Sequence, residues 1–102
     1  METQVKKGVL EIYVLEELRK HDSYGYELVQ NLSKHIEMSE STLYPILRRL
    51  EKANELETYN LLFNGRNRKY YKITKKGIMH IESFVKEWLD IYEKLQNIRK
   101  DI

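Results

Sequence analysis

Seven apolar residues near the C-terminus, Ile81, Phe84, Trp88, Ile91, Leu95, Ile98 and Ile102, are separated by steps of 3, 4, 3, 4, 3 and 4. This is an a/d heptad seam, and Val85 and Tyr92 widen it on one side. It predicts a helix over about 75–101, capped by Thr74. At about 1.5 Å per residue such a helix is about 40 Å long. The chain has 102 residues, enough for one domain with a single core. A core of that size leaves part of the seam uncovered. The simplest cover is the same helix of a second copy, which makes Ile81, Phe84, Trp88, Ile91, Leu95 and Ile98 the expected dimer interface. The competing reading is packing against the first helix of the same chain. Both hold if they apply to different stretches of the helix.

Three shorter helices precede the seam. Val5 to His21 carries a wide apolar arc, with Val9, Ile12, Tyr13 and Glu16 on one side and Leu10, Val14 and Leu18 beside them. A second helix follows Asp22 and Ser23, both good N-cap residues, and presents Leu28 and Leu32 to the core. Gly25, near its start, is locally unfavourable for a helix and points to a close approach by another group. A third helix follows Ser39 or Ser41 as cap, with Leu43, Ile46, Leu47 and Leu50 on one stripe. It holds the chain's one proline, Pro45. If Ser41 caps, only a terminal hydrogen bond is lost; if Ser39 caps, the cost is greater. Asn54 is the expected terminator.

The period then changes. Strands are predicted at about 55–62 and 68–74, split by Asn64-Gly65, a dipeptide suited to a type I′ hairpin turn. Three helices, a hairpin and a long helix make a mainly α, α+β chain. The expected architecture is a winged helix-turn-helix over residues 1–75, followed by a dimerisation helix over 76–102.

The third helix has two faces. Opposite the leucine stripe stand Ser41, Tyr44, Pro45, Arg48 and Lys52, with Thr42 near the helix start. A helix entering the DNA major groove needs this division, one side for its own domain and the other for base edges and phosphates. Just past the turn come Arg66, Arg68 and Lys69, placed for a minor groove or a phosphate backbone. The bland alternative for these charges is protection of a strand edge. From Ser41 to Lys76 there are nine Lys or Arg against three acids, although the whole chain carries only +2. A basic centre between acidic flanks suggests a surface for a polyanion such as double-stranded DNA, the plainer alternative being a solvated charged surface. The other reading of this fold is a protein-docking winged helix that has lost DNA binding.

Other classes find little support. There is no cysteine, which suits a cytoplasmic protein. No apolar run approaches the roughly 20 residues of a membrane span. His21, His35 and His80 lack metal-ligand spacing, so neither catalytic residues nor a metal or other cofactor are expected. No nucleophile elbow or phosphate-binding glycine loop is present.

The runs SYGYELVQNL, STLYPILRRLEKANELE and RNRKYYKITKKG together resemble the PadR-like transcriptional regulators. The resemblance covers about Val9 to Gly77, and the single helix after it resembles the short subfamily. Two features depart from the family pattern. Asn54-Glu55 stands where a glycine commonly leads into the first strand, and Leu61-Leu62-Phe63 makes the wing apolar. The resemblance implies a homodimeric repressor on a pseudo-palindromic operator. It places Tyr24 and Tyr26 at the DNA-facing start of the second helix. Thr42, Tyr44 and Arg48 fall on the recognition helix, and Arg66, Arg68 and Lys69 on the wing. It also implies a planar aromatic effector at the dimer interface, with Phe84, Trp88, Ile91 and Tyr92 as candidate walls. For Trp88 the plainer reading is a large dimer contact.

Overall fold

A computed structural model of the protein describes residues 3–102. The elements are α1 (Thr3–Lys20), β1 (Ser23–Tyr24), α2 (Gly25–Leu32), α3 (Glu40–Lys52), β2 (Leu56–Phe63), β3 (Arg66–Ile73) and α4 (Lys75–Lys100). The architecture is a winged helix-turn-helix extended by a long helix. One core is built from Leu10, Val14 and Leu18 of α1, joined by Leu15, which the expected arc did not include, with Leu28 and Leu32 of α2, and Leu43, Ile46, Leu47 and Leu50 of α3. Leu56 and Tyr71 close it from the sheet side. Val9, Tyr13 and Glu16 of α1 instead face α4, and Ile12 touches both the core and this side, so the wide arc of α1 serves two surfaces.

The strands form an antiparallel sheet in the order β1-β3-β2. The hairpin closes at Asn64-Gly65, with φ values of 49° and 76°, as a two-residue turn with positive φ at both centres requires. Its ladder runs to Phe63↔Arg66, so both strands reach closer to the turn than the sequence pattern indicated.

Strand β1 is an addition to the expected fold, and it corrects the second helix start. Ser23 pairs with Tyr71 and Tyr24 with Tyr70. The ladder holds Ser23 extended, so the N-cap is Tyr24 and no side chain caps the helix. The Ser23 hydroxyl donates instead to Glu27 Oε1 at 2.5 Å. Asp22 accepts from the Tyr59 hydroxyl at 2.6 Å.

Ser39 caps α3, its hydroxyl accepting from the Thr42 N–H at 3.3 Å. Pro45 therefore lies inside the helix, which nevertheless runs unbroken to Lys52. The Ser41 carbonyl loses its helical donor, but Ser41 is exposed, so water can serve it. At the other end Asn54 adopts φ 63°, and the Glu55 N–H reaches the Leu50 carbonyl at 2.9 Å. Asparagine tolerates the left-handed conformation that ends a helix this way.

The start of α4 is fixed to the turn between α3 and β2. The Thr74 hydroxyl accepts from the Gly77 N–H and donates to the Asn54 carbonyl, and His80 Nδ1 meets Glu55 Oε1. Of all its residues only Gly77 is buried. Ile81 packs on the core, and the Phe84 ring lies against Gly8 of α1. From Trp88 onward the seam is uncovered in the single chain: Trp88 is 38% exposed, Leu95 56% and Ile98 58%. The two readings of the seam thus divide along the helix, with its first turns packed on the chain itself and the remainder open.

Candidate nucleic-acid interface

Helix α3 is held by four residues on one side, Leu43, Ile46, Leu47 and Leu50, all buried. The apolar stripe fixes the rotation of the helix, and so turns Ser41, Tyr44, Pro45, Arg48 and Lys52 outward, all exposed. Thr42 is half-buried at the N-terminal turn, its hydroxyl 3.1 Å from that of Ser39. Arg48 and Lys52 form no ion pair with a carboxylate among the described residues. Arg49, one residue from Arg48, does: its guanidinium holds Glu11 of α1 at 2.5 Å. Of two adjacent arginines, one ties the helix to its domain and the other is free.

Tyr44 joins α3 to α2. A Cβ at Gly25 would fall 2.8 Å from Tyr44 Cζ, so the phenol lies directly on the glycine. This is the close approach that Gly25 signalled. Tyr44 is still 37% exposed and keeps one side of its ring outward. Tyr26, on the same short helix, is 60% exposed, and its hydroxyl accepts from Gln30 Nε2 at 3.0 Å.

The three wing cations do not share one surface. Side chains alternate along β3, so Arg66 and Arg68 lie on the outer face with Tyr70 and Lys72, while Lys69 lies on the inner face with Tyr71. Lys69 Nζ sits 3.6 Å from Glu51 Oε1 of α3, and 5.4 Å from the centroid of the Tyr71 ring. Arg66 is exposed at the turn. The Arg68 guanidinium is 4.4 Å from the centroid of the Tyr24 ring and 4.2 Å from that of Phe63. Tyr24 meets Tyr70 edge-on at 5.4 Å, and Tyr70 stacks on Tyr59 at 5.6 Å. The hydrogen bond to Asp22 pushes the Tyr59 phenol up to about 12. Tyr24 thus belongs to an aromatic row across the outer face of the sheet.

Phe63 and Lys72 join this face without having been read as site residues from the sequence. The signal for Phe63 was present: a large apolar residue just before a hairpin turn has no core to enter.

A second surface lies between α1 and α4. A groove of about 540 Å³ is lined by Val9, Ile12 and Tyr13 from α1 and by Phe84, Trp88 and Tyr92 from α4, among others. Three of the four candidate effector residues line it, and Ile91 does not. Among the described residues no cluster of side chains suits a metal ion, and no helix is long and apolar enough to cross a membrane.

Comparison with known proteins gives consistent results. The family model described as "Transcriptional regulator PadR-like family" matches residues 14–83. A PadR-like transcriptional regulator of Bacillus cereus is 36% identical, with 94% of this chain and 96% of that one aligned at a TM-score of 0.79. A PadR family transcription regulator of Clostridium difficile is 31% identical, with 86% and 95% aligned at a TM-score of 0.76. A transcriptional regulator of Mycobacterium tuberculosis is 31% identical over 75 residues, which cover 72% of this chain and 70% of that protein.

Proposed function

Because the chain belongs to the PadR-like family of transcriptional regulators, we propose that it acts as a homodimer that binds double-stranded DNA and represses transcription at a pseudo-palindromic operator. The observation that carries this reading is the two-sided α3. Four buried residues anchor one side, and Arg48 and Lys52 stand exposed on the other, with no carboxylate partner among the described residues. A winged helix-turn-helix over residues 1–75 supplies the contacts: α3 enters the major groove, and the start of α2 and the wing flank it. Arg48 is the base-reading candidate, since its guanidinium can fork onto guanine. Ser41 and Thr42, at the positive end of α3, suit phosphate oxygens. Residues 76–102 join the two subunits, which sets the spacing of the half-sites.

Fluorescence anisotropy on labelled duplexes tests this directly. Affinity should fall steeply as salt rises, because phosphate contacts release counterions. Arg48→Ala should weaken specific binding by about 1–3 kcal/mol and leave non-specific binding less affected. Equal loss on both would make Arg48 a phosphate contact. A flat salt titration would favour a protein-docking role.

The groove between α1 and α4 gives the regulator a place for a flat aromatic effector, with Trp88 as one wall. Planar aromatics should then quench Trp88 fluorescence. A panel that leaves the emission of the dimer unchanged would assign Trp88 to packing alone.

A further inference from the structure

We propose that Phe63 is a positioning residue for DNA binding: with Tyr24 it holds the Arg68 guanidinium flat, as a preset fork for one backbone phosphate. This rests on the DNA-binding reading and assigns work within it to a residue with no place in the core.

The sheet register creates the arrangement. Arg68 pairs with Leu61, Phe63 with Arg66, and Tyr24 with Tyr70. All six side chains lie on the outer face, and Phe63 and Tyr24 are both diagonal neighbours of Arg68, within reach of long side chains. Strand β3 is the middle strand, so the two rings approach Arg68 from its two sides. Both centroid distances, 4.2 and 4.4 Å, are within cation–π range. The guanidinium carbon thus lies over both rings, and its N–H groups form its hydrogen-bonding edge. That edge meets no carboxylate and no hydrogen-bond acceptor among the described residues. A planar cation with open N–H donors matches the bidentate geometry of a phosphate, which a lysine cannot reproduce. Arg66, two residues along the same face, adds a second positive charge near Arg68 and favours an anionic occupant, while Lys72 stands opposite Glu57.

The two jaws are not equally supported. Tyr24 is braced through Tyr70 and Tyr59 to Asp22. Phe63 is 50% exposed and has only the turn behind it. It contributes little to the core, so its removal should free Arg68 without unfolding the wing.

A double-mutant cycle separates this from a simple charge contact. Phe63→Ala, Arg68→Ala, the double variant and Arg68→Lys are titrated with a mixed-sequence duplex over a salt series. Arg68→Ala should lower the salt slope by about one. Phe63→Ala should weaken binding about three- to tenfold, the effect of one newly mobile side chain, with the slope unchanged. It should add nothing in the Arg68→Ala background, and Arg68→Lys should fail to restore binding. NMR relaxation at Arg68 Nε in the free protein should show an ordered group that becomes mobile in Phe63→Ala. Additive losses, a neutral Phe63→Ala, full activity of Arg68→Lys or unchanged Arg68 mobility would each overturn the proposal. If the unaltered protein binds no duplex, the DNA reading falls first and the phosphate fork with it.

Discussion

Leu95→Ala isolates the open half of the seam. Leu95 is 56% exposed in the single chain and lies beyond Tyr92, the last residue of α4 to line the groove with α1. Truncation to alanine removes three carbon groups. At about 0.8 kcal/mol per buried carbon, scaled by the fraction still open to burial, the loss is about 1.3 kcal/mol per subunit. A symmetric dimer carries it twice, about 2.7 kcal/mol, so the dimer dissociation constant should rise roughly 100-fold. Alanine is at least as good a helix former as leucine, so α4 itself should persist. Sedimentation equilibrium over a concentration series measures the constant, and far-UV circular dichroism checks the helix. Lys94→Ala is the control: its contact with Asp90 is long, at 3.9 Å, and well exposed. Such pairs contribute about 0–1 kcal/mol, so little change is expected. Two results would refute the reasoning: an unaltered protein that is monomeric at micromolar concentration, or a Leu95→Ala dimer as tight as the original.

Two further outcomes follow from local geometry. Gly25→Ala should destabilise the protein in urea titrations, because its methyl group collides with the Tyr44 ring; in a Tyr44→Ala background the sign should reverse, with a gain of up to about 1 kcal/mol from helix propensity. Tyr59, raised to about 12 by Asp22, donates to the carboxylate only while neutral. Its contribution is therefore complete below the unfolded value of about 10 and is lost as pH rises through 12. Absorbance titration of Asp22→Ala should show this phenol ionising nearer 10 than in the unaltered protein.

The parts of the fold readable in the sequence are those with a strong local period. The α3 stripe, the Asn64-Gly65 turn, the Thr74 cap and the long seam are all periodic or rest on a few adjacent residues. Strand β1 was not readable. It has two residues, no alternation, and a partner in β3 far along the chain. Missing it also misassigned Ser23, whose good capping chemistry lost to the sheet ladder. The site was legible in composition more than in geometry. Arg66, Arg68 and Lys69 look like one cluster in sequence, yet a period of two separates Lys69 from the others. Gly25 announced a close neighbour without naming Tyr44, because the contact joins two helices. Helix phase sets Arg48 with Ser41, Tyr44 and Lys52, but says nothing of what holds Arg49. That Arg49 is tied to Glu11 of α1 is a contact between distant elements, which no local pattern carries.

The central claim is that α3 and the wing read duplex DNA as a two-fold pair. Selection from a random duplex pool by the purified protein, followed by sequencing of the bound fraction, tests it most directly. Enrichment of an inverted repeat is expected, with half-sites separated by about one helical turn or a multiple of it. A bound fraction with no enriched sequence, or with a single unpaired half-site, would contradict it.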